Sequence, residues 1–259
     1  VSYEPSDYWK HLNAESNRML KDYGYENFKR SVGLVYNDFY YDCIKGVYHE
    51  NYDKYVIDIW DALYATYPND FLDQFYEPEE GNPKRIVYRD RLVSIDLASS
   101  LVEYILLASK IDLSEVKVIH EIGAGYGRLG YVIAQLIKDV KYKIFDLDMS
   151  LNLSERYLST VLPKADFEFH SPEKLDGKCD ILIAMNCLHE MTKEQVESHF
   201  DYADKNTSYF YYTCWEDSSV NKNNIRWRRQ DYPVRDSWVP VHIGKHSSRV
   251  NFFEALYKI

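Results

Sequence analysis

Glu121, Gly123, Gly125 and Gly127 stand at alternate positions in HEIGAGYGR, directly after the apolar run VKVIHEI and before the helical stretch RLGYVIAQLIKD. A glycine-rich turn between strand and helix lets backbone approach a ligand, and the helix N-terminus favours an anionic group. The spacing discriminates among ligands. A P-loop ends in Gly-Lys-Ser or Gly-Lys-Thr, and this chain has Gly127-Arg128-Leu129, which excludes it. A dinucleotide fingerprint would need its third glycine where Arg128 stands. A carboxylate at the end of the first strand repels a pyrophosphate but attracts a ligand bearing an ammonium and a sulfonium. S-adenosylmethionine (SAM) carries both. The glycines, with Ala124 between the first two, are expected to let the backbone approach its methionine part. A loop that binds nothing is the bland alternative.

A second acid points the same way. Asp146 ends KYKIFD, about twenty residues beyond the loop, where doubly wound nucleotide folds hold ribose hydroxyls on a carboxylate. Leu147 lies beside it in the same turn, and Asp148 is the fallback. The fourth apolar run ends CDILIAMNCLHEM, and Thr192 with Gln195 reads as a capping box that fixes the next helix start. Asn186, His189 and Glu190 therefore fall in a short loop above the strand ends, with Asn186 expected on the cofactor. A hydroxyl acceptor is weakly acidic, so a base helps, and histidine titrates near neutral pH. His189 is the expected base and Glu190 its competitor; a loop histidine bonded to backbone is the structural alternative.

In this acidic chain the stretch IRWRRQDYPVRD is unusual: Arg226, Arg228, Arg229 and Arg235 surround Trp227, and Lys245, His246 and Arg249 follow. Arginine forks grip carboxylates and phosphates, and Trp stacks on a sugar face. This predicts an acceptor site for an anionic sugar or nucleotide diphosphate, against a solvated loop that balances acids elsewhere. Arg85, Arg89 and Arg91 pose the same choice. Arg128 could reach the SAM carboxylate or pin the helical lobe. No metal is expected: Glu190 and Asp217 lack the paired aspartates a magnesium site would use. His242 and His246 have helical spacing, but Gly244 between them favours strand and turn.

The elements that must position these groups follow from periodicity. Residues 1 to about 110 read as helices. Ser6 or Asp7 caps YWKHLNAESNRML, NYDKYVIDIWDALYATYP stops at Pro68, EPEEGNPKR is a loop, and Ser94 to Lys110 is a strongly apolar helix. From Val116 strands alternate with helices: VKVIHEI, KYKIFDLD, ADFEFH, CDILIAMN and SYFYYTCW read as strands of a parallel sheet. WVPVHI and RVNFFEALYKI, close in sequence, read as an antiparallel edge pair. The expected organisation is an α-helical lobe over residues 1–112, then an α/β domain over 113–259.

Composition narrows the partners. The chain has 259 residues and a formal net charge of −10, which disfavours nucleic acid, since phosphate backbones need a basic surface. No apolar run is long enough to span a bilayer, and no signal peptide is read. The chain begins with Val, as a domain cut from a longer protein would. The cysteines Cys43, Cys179, Cys187 and Cys214 show no C-x-x-C spacing and read as reduced, buried thiols of a cytoplasmic protein. Many of the 25 tyrosines cluster in the first hundred residues, where they either line a cleft or pack a helical lobe.

HEIGAGYGR and FDLDMSLNLSERYLS resemble class I SAM-dependent methyltransferases, and within them the bacterial sugar O-methyltransferase family. DYWKHLN, YGYENFKRSVGL, GNPKRI, SIDLASSLVEYILL and the terminal NFFEALY resemble that family too, so the likeness covers most of the chain. It implies a Rossmann-like SAM-binding domain, preceded by a helical lobe. It further implies methyl transfer to a sugar hydroxyl of a surface polysaccharide or nucleotide-sugar, alone or within a larger polysaccharide-assembly protein. LHEMTKEQ is similar to the loop of plant phenolic O-methyltransferases whose His is the base, with Met191 where those enzymes have Trp. Asn186-Cys187-Leu188-His189 lacks the Asn-Pro-Pro-aromatic tetrad of adenine N-methyltransferases. The rival readings are a phenolic or polyketide O-methyltransferase and a degenerate fold serving as a binding module.

Overall fold

Strands buried on both faces read as continuous apolar runs, and CDILIAM is one. Its seven residues, Cys179–Met185, are almost all buried and lie mid-sheet. A computed structural model describes residues 6–30, 40–42, 47–48, 50–220, 225–249 and 251–259. It divides into two compact units, Leu12–Ile105 and Leu106–Ile259, the latter together with the chain start up to His11.

In chain order, helix α1 (Asp7–Tyr23) comes first, and Ser6 caps it by accepting from Trp9 N at 3.3 Å. Then follow β1 (Tyr40–Asp42), β2 (Val47–Tyr48), α2 (Tyr52–Thr66), α3 (Asn69–Asp73), β3 (Ile86–Tyr88), β4 (Arg91–Val93) and α4 (Ile95–Lys110). The core of the Leu12–Ile105 unit holds Phe28, Tyr52, Trp60, Leu63 and Phe75. A buried Lys29–Glu77 ion pair is completed by the Ser94 hydroxyl, which donates to Glu77. Among the described residues two antiparallel strand pairs, β1–β2 and β3–β4, break the all-helical expectation. In β3–β4 the turn residues Arg89 and Asp90 both have positive φ (48° and 61°). Such a turn matches strand twist, but glycine or asparagine usually signals it, and neither is present here. Cys43 and Tyr36 lie outside the described residues.

The second unit contains β5 (Val118–Ile122), α5 (Arg128–Leu136), β6 (Lys141–Phe145), α6 (Asp148–Val161), β7 (Asp166–His170), β8 (Cys179–Met185) and α7 (Lys193–Asn206). The chain continues with β9 (Thr207–Trp215), β10 (Asp217–Val220), β11 (Ile225–Arg228), β12 (Val239–Lys245) and β13 (Phe252–Lys258). Seven strands form one sheet in the order β12-β13-β9-β8-β5-β6-β7. The β5–β6, β6–β7, β5–β8 and β8–β9 pairs are parallel; β13 runs antiparallel to both β9 and β12. This is a Rossmann-like α/β sheet with the expected antiparallel edge pair.

Period-two alternation assigns the two faces. His120 meets Tyr202 of α7 through Nδ1 at 2.8 Å, whereas Tyr142, on the opposite face, lies against Gly130 of α5. The aromatic core beside α7 is dense: Phe200 stacks on Trp238 at 5.5 Å and meets Phe210 edge-on at 5.1 Å. From β5 the chain runs outward to β6 and β7, then returns to the other side of β5 as β8. Ligands of open α/β sheets bind at the carboxyl ends of strands where the order reverses. Here that point lies between β5 and β8.

Candidate functional site

At the carboxyl end of β5 the ladder extends into the glycine loop, where Gly123 N donates to Phe145 O at 2.9 Å. Gly123, Gly125 and Gly127 adopt positive φ (68°, 61° and 87°), a region costly for residues with a Cβ. A Cβ on Gly123 would lie 2.6 Å from Cys187 Cβ, and one on Gly127 2.6 Å from Leu158 Cδ1. Glycine at these two positions thus permits close packing against the β8 end and α6, a role within the protein that spacing alone does not reveal. Glu121 lies beneath the loop, buried, and accepts from the Tyr142 hydroxyl at 2.8 Å.

Asp146 joins the loop to the end of β6. Its Oδ2 accepts from Gly125 N at 2.9 Å and its Oδ1 from Leu147 N at 2.7 Å. Burial raises its pKa to about 6, while those two N–H donors and the Ser150 hydroxyl pull it back. At the end of β8, Asn186 has φ 55° and donates its N–H to Thr213 O at 2.9 Å. Its Oδ1 is buried with no partner among the described residues. The Cys187 thiol donates to Ile122 O at 3.2 Å. Thr192 and Gln195 form the expected capping box, with both reciprocal bonds present.

About 390 Å³ of space, open mouth included, separates these strand ends. Gly123, Asp146 and Leu147, three of the expected cofactor residues, line it. Ser6, Trp9, Pro172, Cys187, Met191 and Gln195 also line it, and none of them is among the expected site residues. Ser6 and Trp9 arrive from the far end of the chain, beyond the reach of any local spacing. The wall is mostly apolar, and among the described residues Asp146 is the one carboxylate that lines it.

His189 and Glu190 sit in a 3-10 turn beside the pocket, with Nε2 3.7 Å from Oε1. The imidazole is not poised near neutrality. It is 4% exposed, and burial, then the Arg249 charge, lowers its pKa to about 3. Burial instead raises Glu190 to about 8, opposed by a hydrogen bond from Trp9. Among the described residues no three His, Cys, Asp or Glu side chains assemble as a metal site. His242 and His246 do not share a helix: His242 lies on β12, 3.4 Å from Glu254, and His246 follows the strand.

These groups predict a stability optimum near pH 6.5. His120, His189 and His199 have folded pKa values of about 4, 3 and 4, below the ordinary 6.5. Their contribution is present above pH 6.5 and lost as pH falls toward those values. Glu190 and Asp146 are raised, so stability present at acid pH is lost as pH rises through about 8 and 6 respectively. The net loss is on the order of 2 kcal/mol on each side, or roughly 5 °C in melting temperature. Melting scans from pH 5 to 8.5 test this. The alkaline limb flattens in Glu190→Gln, and an unchanged limb would refute the raised carboxyl.

The basic stretch is not an exposed acceptor platform. Trp227 is 2% exposed, stacks on Tyr232 at 5.0 Å, and donates its indole N–H to Met191 O at 3.4 Å, so neither ring face is open to a sugar. Arg226 forms a bidentate pair with Asp217, and Arg228 and Arg229 approach Asp217 and Glu216, each at 3.9 Å. His246 is buried, and its Nδ1 accepts from Ser248 N at 3.2 Å. Arg235 bridges Glu197 and Asp201. Arg85, Arg89 and Arg91 engage Glu79, Tyr64 and Asp73 inside the other unit. Arg128 opens α5 and is 9% exposed. Trp227→Ala should accordingly cost about 3–5 kcal/mol of stability in urea unfolding, while Arg226→Gln should cost below about 1 kcal/mol. Comparable costs would restore Trp227 to the surface.

No protein-family profile and no curated protein matches the chain. Among solved structures it is similar to magnesium protoporphyrin IX methyltransferase from Synechocystis with bound SAM (15% identity, TM-score 0.49, 80% of this chain and 94% of that one). It is also similar to a SAM-dependent methyltransferase from Clostridium acetobutylicum (9% identity, TM-score 0.48, 63% and 91%). A third is mitomycin 7-O-methyltransferase (10% identity, TM-score 0.49), where 64% of this chain spans 54% of that one. These likenesses are distant, and the reading of the site rests on its own residues.

Proposed function

We propose that the chain is a SAM-dependent O-methyltransferase. The observation that carries this reading is the Asp146 carboxylate. It ends β6, holds the glycine loop through Gly125 N, and lines an otherwise largely apolar slot at the point of strand-order reversal. A ribose hydroxyl would be held by such an acceptor, and an adenine ring by apolar walls such as Leu147 and Pro172. The orphaned Asn186 Oδ1 is a buried acceptor suited to an ammonium donor. The donor set therefore fits SAM, with Glu121, Gly123, Ala124, Gly125 and Gly127 shaping the loop beneath it. When bound, SAM supplies an electrophilic methyl group on a sulfonium.

The chain's own residues hold the cofactor at the strand ends and keep a proton acceptor, His189 or Glu190, beside it. The acceptor is a sugar hydroxyl, a choice supported by the helical-lobe segments rather than by Trp227 or His246. Calorimetric titration with SAM, its demethylated product and NAD tests the cofactor. Micromolar binding of both SAM forms without NAD is the expected result. NAD binding in place of SAM would overturn the reading. An acceptor panel of nucleotide-sugars and phenols then separates the sugar from the small-molecule alternative.

A further inference from the structure

The pocket at the strand ends has two halves. Phe145, Asp146, Leu147 and Pro172 form the half at the β6 and β7 ends. Cys187, Met191 and Gln195, which follow β8, form the other together with Ser6 and Trp9. Gly123, at the end of β5, lies between them, because β5 stands between β6 and β8 in the sheet. Ser6 and Trp9 are fixed in place by hydrogen bonds. The Ser6 hydroxyl accepts from Trp9 N at 3.3 Å and donates to Glu190 O at 2.9 Å. The Ser6 carbonyl accepts from Lys10 N at 2.9 Å. One serine thus caps α1 and pins its first turn to the turn that follows β8. That pin sets the backbone of Trp9, whose half-buried side chain lines the pocket.

The sulfur of SAM is bonded to the ribose on the side away from the adenine. With the ribose on Asp146 and the adenine against Leu147 and Pro172, the sulfonium would lie toward Gly123 and the half that Trp9 closes. The buried Asn186 Oδ1, suited to the ammonium, stands at the β8 end on that same side. Among the described residues that line the pocket none carries a positive charge, and Cys187 and Met191 are apolar. An indole face attracts a cation, most strongly where water is excluded. Resting on the methyltransferase reading, we propose that Trp9 is a specificity-determining residue of the cofactor site. Its indole faces the sulfonium and favours the charged methyl donor over the demethylated product, whose sulfur is uncharged. Contacts with the adenine, the ribose and the amino-acid end are common to both ligands and cancel in the ratio of their affinities. A contact with the sulfonium does not cancel.

The test is calorimetric titration of SAM and of the demethylated product into the unmodified chain, Trp9→Leu and Trp9→Phe. Trp9→Leu keeps an apolar side chain without an aromatic face. It should lower the affinity for SAM about fivefold more than the affinity for the product. Trp9→Phe keeps a weaker face and should lower it about twofold more. It also serves as the second variant should Trp9→Leu fold poorly, which melting scans of the same samples read. Equal losses for both ligands in the two variants would make Trp9 an apolar wall only and overturn the inference. Unchanged affinities for both would overturn it as well, by removing Trp9 from the site. If the unmodified chain binds neither SAM nor the product, the methyltransferase reading itself fails, and this inference falls with it.

Discussion

Gly123→Ala is expected to destabilise the protein by about 2–4 kcal/mol, combining the cost of a Cβ at positive φ with overpacking. The added methyl would sit 2.6 Å from Cys187 Cβ and 2.9 Å from Sγ. Neither atom is the tip of a flexible chain, so the β5 and β8 ends themselves must part. The clash can be separated from the backbone cost. Cys187→Gly removes both atoms, at the expense of a small cavity and the thiol bond to Ile122 O. On that background Gly123→Ala should retain only the backbone term, about 1 kcal/mol, leaving a coupling of about 2 kcal/mol in the cycle. Urea unfolding of the four proteins measures it. Additive costs would mean that the two strand ends do not touch as described.

Asp146→Ala should weaken SAM binding by about 100-fold, the loss of one charge-assisted hydrogen bond with its loop left unsupported. The two backbone donors that now face its oxygens, Gly125 N and Leu147 N, would both lose their acceptor. Asp146→Asn is not a neutral probe. Its amide can accept from one of those N–H groups, while its NH₂ confronts the other. It should therefore bind SAM weakly as well, rather than match the parent. Protonation of Asp146 acts in the same sense. With a folded pKa of about 6, binding to the ionised form weakens about tenfold per pH unit below that value. Calorimetry at pH 5 and 7 reads this slope in the parent, and Asp146→Ala should lack it. Equal affinity of parent and Asp146→Ala would remove this carboxylate from the site.

The strand–helix alternation from Val118 onward was readable because each central strand is a short apolar run bounded by polar turns, as CDILIAM and VIHEI are. The capping box at Thr192 was equally legible, since both partners lie within one turn of chain. The β3–β4 hairpin was not: Arg89 and Asp90 hold positive φ without the residues that usually announce it. Trp227 misled for a related reason. Arginines on either side give the segment a surface character, but strand alternation turns the intervening indole inward onto Tyr232.

What the sequence determined by itself is the strand–helix order from Val118 to Trp215 and the pair of features at the ends of the first two strands of that stretch, because local spacing encodes both. Only tertiary structure decided what surrounds them. Ser6 reaches the Glu190 backbone across more than 180 positions of chain, and Gly123 answers to Cys187 across the sheet's point of reversal. The protonation of His189 and Glu190 was likewise beyond local reading. Composition suggests a histidine near neutrality and an ionised glutamate, yet desolvation drives the first down to about 3 and the second up to about 8. Burial is a property of the packed chain, and it inverts the expected order of the two groups.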